Sequence, residues 1–389
     1  MRINGLALSL MVTLALVSRA QADNDIKMLD PTDISNNEQV VATDYESPAD
    51  MMADPAPCSP SMNTGVLPEG WARCLFGSRC GYHLYAGTEF TFLNVHTQTG
   101  GRTTVSFTDT TAPGVSSVSF TENNGVDDWG YAPRVWLGAQ LTDVWGVRGR
   151  YWRLSDNDLH SPEITPGTTP TGTNFATFET TDRMEAFTAD VEAVRSMEWR
   201  GWKADAFVGG RHAEFSTDSN NLAFGVFTTG NFINLTLQNG CEFDGSGVTY
   251  GGELRHRLGN SHLYAFGSVR GSALDGHSDS FARADGAVAS SPSAPLVGAA
   301  TVRRNDAEAR LYIFEVQGGL EFEWALEEIP ANFFFRTAYE YQRWDIDGLP
   351  TGGAGFGGTI GEITTNSFSS ANLGGMNLYG VSIGTGLTW

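Results

Sequence analysis

From residue 82 onward apolar and polar side chains alternate with a period of two, and no stretch carries a helical stripe. Ten such segments stand out: 82–95, 130–141, 144–154, 183–195, 199–212, 247–257, 262–273, 309–324, 332–344 and 378–389. In the second, Tyr131, Val135, Leu137 and Ala139 share one face, and Arg134 and Gln140 the other. In the eighth, Tyr312, Phe314, Val316, Leu320 and Phe322 oppose Glu315, Gln317, Glu321 and Glu323. The connections alternate as well. Short ones fall around Thr142-Asp143, Ser196-Met197, Gly259-Asn260 and Glu327 to Pro330. Long polar ones cover 96–129, 155–182, 213–246, 274–308 and 345–377. All short turns thus lie at one end of the segments and all long loops at the other. This pattern predicts an all-β fold: a transmembrane up-and-down antiparallel β-barrel of about ten strands, with short periplasmic turns and long extracellular loops. Counts of eight or twelve stay open, because 220–236 has room for a further hairpin.

Alternation alone also suits a soluble sandwich, whose apolar face is a core. The aromatic residues separate the two. On the apolar faces, Trp145, Trp202, Trp324, Phe333 and Trp389 fall at the short-turn end, and Tyr131, Tyr151, Tyr312, Tyr341 and Tyr379 toward the long loops. Two aromatic belts are what a pair of membrane–water interfaces selects. Trp136, Trp152 and Trp344 fall on the opposite face and break the pattern. The final strand, YGVSIGTGLTW, is similar to the C-terminal targeting signal of outer-membrane barrels, which implies recognition by the barrel-assembly machinery through a strand ending at Trp389.

The N-terminus predicts export. Arg2 precedes an apolar run, Leu6 to Val17, and Ala20-Gln21-Ala22 is a small-x-small cleavage site. Residues 1–22 are read as a signal peptide, 23–80 as an acidic, Pro-rich, poorly ordered periplasmic leader, and 81–389 as the barrel, placed in a bacterial outer membrane with its lipid as partner. The formal net charge of −21 becomes −23 once Arg2 and Arg19 leave with the signal, which excludes nucleic acid as a partner. Cys58, Cys74, Cys80 and Cys241 then meet an oxidising compartment, where a partial disulfide framework of open connectivity is expected. No CxxC occurs and the seven His are scattered, so neither a metal site nor any cofactor is expected.

Charge on the polar faces gives the candidate site. Arg134, Arg148, Arg150, Asp190, Glu192, Arg211, Glu253, Arg270, Glu315, Glu321, Arg336 and Glu340 all face a lumen in this register. Charge on a lipid face costs roughly 2–4 kcal/mol for Arg at the midplane, so these residues belong inside. Two readings follow: a narrow pore whose charge biases passage of ions or small solutes, or an Arg–carboxylate network filling a barrel too small for a wide channel. In the second, function moves to the long loops, whose acids (Asp127, Asp128, Asp156, Asp158, Asp345, Asp347) suit surface binding or divalent-cation bridging to lipid heads. An outer-rim hydrolase is a remote third reading, with His212 and Asp218, or His277 with Asp275 and Asp279, as its only candidates; no enzyme activity is expected. GGAGFGG, 352–358, lacks the Lys-Ser/Thr of a phosphate loop and reads as a flexible loop tip.

Three stretches carry a family resemblance: WGYAPRVWLGAQLTDVWGVRGRYWRLSD (129–156), GVTYGGELRHRLGNSHLYAFGSVRGSAL (247–274) and FFFRTAYEYQRW (333–344), with the terminal strand. They resemble the Legionella-type pore-forming major outer-membrane protein family over roughly residues 80–389. The resemblance implies a porin-like outer-membrane barrel; the long loops are unlike that family's.

Overall fold

The computed structural model describes residues 83–99, 102–109, 116–123, 127–159, 168–169, 172–173, 175–226, 232–289, 297–326, 329–347, 352–360, 363–371 and 373–389. The expected signal and leader, with Cys58, Cys74 and Cys80, lie outside these residues.

Sixteen strands follow in chain order. They are β1 (His83–Thr99), β2 (Arg102–Asp109), β3 (Ser116–Asn123), β4 (Asp127–Gln140) and β5 (Trp145–Leu159). Then come β6 (Thr168–Thr169), β7 (Gly172–Thr173), β8 (Phe175–Trp199), β9 (Trp202–Val226), β10 (Phe232–Arg257) and β11 (Leu263–Ala289). Last are β12 (Val297–Ala325), β13 (Asn332–Asp347), β14 (Gly352–Ile360), β15 (Ile363–Ala371) and β16 (Leu373–Thr388).

Ten of them close a barrel in the order β1-β16-β13-β12-β11-β10-β9-β8-β5-β4, every pair antiparallel. These are the ten alternating segments of the sequence, each between two turn signals. Closure is sealed where the chain ends beside its first strand: Trp389 N donates to Leu84 O at 2.8 Å and Leu84 N to Trp389 O at 2.7 Å. A closed ring leaves no unpaired sheet edge in the wall.

The short turns have identifiable causes. Between β8 and β9 the chain reverses at Arg200 (φ 48°) and Gly201 (φ 83°). Two successive positive φ values make a two-residue hairpin whose twist matches its strands. The reversal therefore sits at 200–201 rather than at the expected Ser196-Met197, which continue in β8 opposite Asp205 and Ala204. Gly259 (φ 63°) supplies the same conformation between β10 and β11.

The long connections differ most from expectation. Much of 175–182, 213–246 and 274–308 is not loop; it is the continuation of β8 to β12, which run up to 29 residues in β12. In the segment 220–236 the described residues belong to β9 and β10, with Val226 opposite Phe232. Residues 352–358, read as a loop tip, form β14 and pair with β15. With β2 and β3 these strands make a second, four-stranded sheet, β14-β15-β2-β3. It packs against the extended ends of β10, β11 and β12. An apolar cluster lies between them, with Val105 of β2, Phe178 of β8, Ile233, Leu235 and Leu237 of β10, and Ala354 of β14. The barrel thus rises on one side into a packed β-lobe at its long-loop end.

Candidate functional site

The inner wall holds two layers of opposite character. Nearest the short turns is the charge layer. All twelve charged residues named for the lumen stand on the inner face, and ion pairs join them, some between neighbouring strands and some across the lumen. Arg134 of β4 donates to Glu89 of β1 at 3.0 Å and, bidentately, to Glu340 of β13. Arg150 of β5 donates to Glu315 of β12 at 2.5 Å. Arg211 of β9 grips Asp190 of β8 through Nε and Nη2, at 2.6 and 2.9 Å, and reaches Glu315 with Nη1 at 2.6 Å. Arg270 of β11 bonds Glu192 and lies 3.3 Å from Asp190. Arg148 holds Glu192 at 2.7 Å. Arg336 of β13 bonds Glu321 at 2.6 Å and approaches Glu253 at 3.4 Å. Arg guanidinium forks suit this work, because each satisfies two carboxylates with directed N–H groups. Sequence reading missed Glu89, to which Gln317 donates, and left Gln317 and Arg255, 3.2 Å from Glu321, on the polar faces without a place in the set. All three alternate in phase with the residues that were found.

Above the charge layer the inner wall turns apolar. Leu93, Trp152, Leu154, Met184, Phe215, Phe243, Leu311, Ile313, Trp344 and Leu378 form one buried cluster contributed from around the ring. Trp152 of β5 and Trp344 of β13 meet with centroids 5.8 Å apart, and Phe215 of β9 meets Trp344 at 6.4 Å. These side chains cross the lumen. Two of the three tryptophans that broke the sequence pattern, Trp152 and Trp344, are its central members. Trp136 lies lower, packed on Phe334 at 6.3 Å under the Arg336 guanidinium.

The outer wall changes at the same height, in the opposite sense. On β9 the outward residues are Trp202, Ala204, Ala206 and Val208, then His212, Glu214, Ser216 and Asp218; inward stand Lys203, Asp205 and Arg211, then Ala213 and Phe215. On β12 the outward series runs Trp324, Phe322, Leu320, Val316, Phe314, Tyr312, then Arg310, Glu308 and Asp306, while Glu321 and Glu315 inside give way to Ile313 and Leu311. The strands do not slip; their surroundings change. Below the upper tyrosines the outer face is apolar and exposed, as at Val191 (73%), Val208 (59%) and Tyr250 (60%). Above them it is charged.

Among the described residues the lumen opens toward the short turns. There a cavity of about 950 Å³ is lined by Tyr85, Trp136, Arg148, Phe207, Arg255 and Phe334, among others, and ends against Glu89, Arg134, Arg270, Glu315 and Glu340.

The aromatics of the outer wall lie at two heights. Trp145, Trp202, Trp324 and Trp389 stand at the short-turn end, and Tyr131, Tyr151, Tyr312, Tyr341 and Tyr379 at the other. Of the residues named for a hydrolase, His212 and Asp218 are six positions apart on one face of β9, roughly 20 Å, and Asp275, His277 and Asp279 alternate along one face of β11. Cys241 is a free, buried thiol on the upper part of β10, 3.7 Å from Ser278 Oγ.

No family model matches the chain, and no curated protein matches it either. Among solved structures it is similar to the outer membrane protease OmpT of Escherichia coli, at 9% identity and TM-score 0.36, over 79% of this chain and 96% of that one. It is also similar to the outer membrane protein OprG of Pseudomonas aeruginosa (9% identity, TM-score 0.22, 78% and 96%). A third is Ail, the attachment invasion locus protein of Yersinia pestis (7% identity, TM-score 0.20, 76% and 97%).

Proposed function

We propose that this chain is an outer-membrane barrel with a closed lumen, whose task is to hold a structured β-lobe on the cell surface. One observation carries the reading: polarity inverts within unbroken strands. A strand that is apolar outside and charged inside over its lower part, then charged outside and apolar inside over its upper part, passes from lipid into water between the two. The upper core of Trp152, Phe215, Phe243 and Trp344 is what a water-surrounded β-structure needs, and it fills the space a pore would use. The likeness of the wall strands to a pore-forming family is in keeping with a shared barrel; the packed lumen separates this chain from an open porin.

A gated conduit is the second reading, favoured by the cavity of about 950 Å³ that leads from the short-turn end to the charge layer. Epitope insertion tests the first. A tag placed between Val226 and Phe232 is expected to bind antibody on intact cells, and the same tag at Asn260 only after the outer membrane is breached. Equal labelling of both would overturn the orientation on which the proposal depends.

A further inference from the structure

The outer wall just above the upper tyrosines carries a second constellation, unconnected with the lumen. His212 and Glu214 of β9 and Asp244 of β10 project outward side by side, because the register sets Glu214 directly opposite Asp244. His212 Nε2 is 3.4 Å from Glu214 Oε1, and its Nδ1 is 3.8 Å from Asp244 Oδ1. One donor atom from each of the three lies within 4.8 Å of the others. A tetrahedral ion with bonds near 2.1 Å holds its ligands about 3.4 Å apart, so small side-chain rotations close the set. His277 of β11 stands opposite Asp244 on its other side. Ser246 Oγ, 3.1 Å from His212 Nδ1, occupies that nitrogen, so an ion would take Nε2, with Asp244 reached by side-chain rotation.

A separate observation on the same wall calls for a cation. Glu242 faces Asp279, and Asp279 faces Asp306. Like charges directly opposite across strands oppose pairing. Arg310, in the adjacent row, is engaged by Asp275 at 2.9 Å.

We propose that His212, Glu214 and Asp244, with His277 as fourth donor, bind a divalent transition ion of the zinc type on the barrel's outer surface. Imidazole mixed with carboxylate selects such ions over calcium and magnesium, which take oxygen donors alone. Sequence spacing gives no hint of the site, because His212 and His277 are separated by the whole β9–β10–β11 meander and meet only through register.

The test is a zinc titration of the refolded full-length protein in micelles against a chromophoric chelator. One saturable ion per chain is expected. His212→Ala and Asp244→Asn each weaken binding at least about 10-fold, His277→Ala weakens it less, and His262→Ala, at the short-turn end, leaves it unchanged. The altered side chains are outward and exposed, and an unchanged heat-modifiable gel mobility certifies each fold. Absence of saturable binding, wild-type affinity in both His212→Ala and Asp244→Asn, or a preference for calcium over zinc would each overturn the proposal.

Discussion

Arg150 and Glu315 face each other from diametrically opposite walls: β5 and β12 are five places apart in a ring of ten, yet Arg150 Nη2 lies 2.5 Å from Glu315 Oε2. The bond crosses the lumen at its level and narrows it. Glu315 also accepts from Arg211 at 2.6 Å, so one carboxylate ties β5, β9 and β12 together. The lower barrel is braced by charge where a soluble protein would use a hydrocarbon core.

That brace predicts a steep cost for removing its centre. Glu315→Ala leaves Arg150, Arg211 and Arg270 buried around an empty position, and loss of one partner of a buried pair costs about 3–5 kcal/mol. Urea unfolding in micelles, followed by tryptophan emission, reads the loss. Arg150→Met with Glu315→Leu removes both charges of the crosspiece and is expected to be less harmful than Glu315→Ala alone. A loss below about 1 kcal/mol for Glu315→Ala would reduce the brace to a surface-like pair.

The polarity inversion predicts a height dependence on the outer face. Val191→Arg, in the apolar band, is expected to cost about 2–4 kcal/mol in folding into vesicles, whereas Ser216→Arg, above the upper tyrosines, costs near zero. Equal costs would misplace the membrane boundary.

The lobe is expected to fail independently of the barrel wall. Leu235 is fully buried in the upper apolar cluster, so Leu235→Ala should cost about 2–5 kcal/mol. Hydrogen exchange should quicken in 220–240 and 278–289 and stay slow in 84–92 and 378–388. Loss of protection throughout the chain would show that lobe and barrel form a single cooperative unit.

Cys241 gives a pH signature above the membrane. Burial pushes its thiol up to about 11. Being raised, the group favours the folded state below the ordinary thiol range, and that contribution is lost as the pH climbs from about 8.5 toward 11. Maleimide should therefore label the folded protein slowly at pH 8 and rapidly after denaturation. Fast labelling of the folded protein would contradict the burial.

Most of the lower barrel was legible in the sequence, because lipid enforces alternation strictly: Arg134, Asp190, Arg211 and Glu340 could be placed inside from period alone. The upper half was not. There Leu154, Phe215 and Leu311 keep the same phase while the outside becomes polar, and a pattern that merely changes sign reads as a polar loop. Trp152 and Trp344 were the available clue: aromatic residues on a face otherwise charged mark a filled lumen. The four-stranded sheet escaped notice because β14 and β15 are Gly-, Ser- and Thr-rich, with few side chains to show a face.

Closure of the lumen is tested most directly by single-channel recording of the refolded protein in a planar bilayer. The wild type is expected to be silent although inserted, and Trp152→Ala combined with Trp344→Ala and Glu315→Ala to give discrete steps. Steps from the wild type, with ion selectivity that shifts in Arg148→Ala/Arg150→Ala, would contradict the account and restore an open pore.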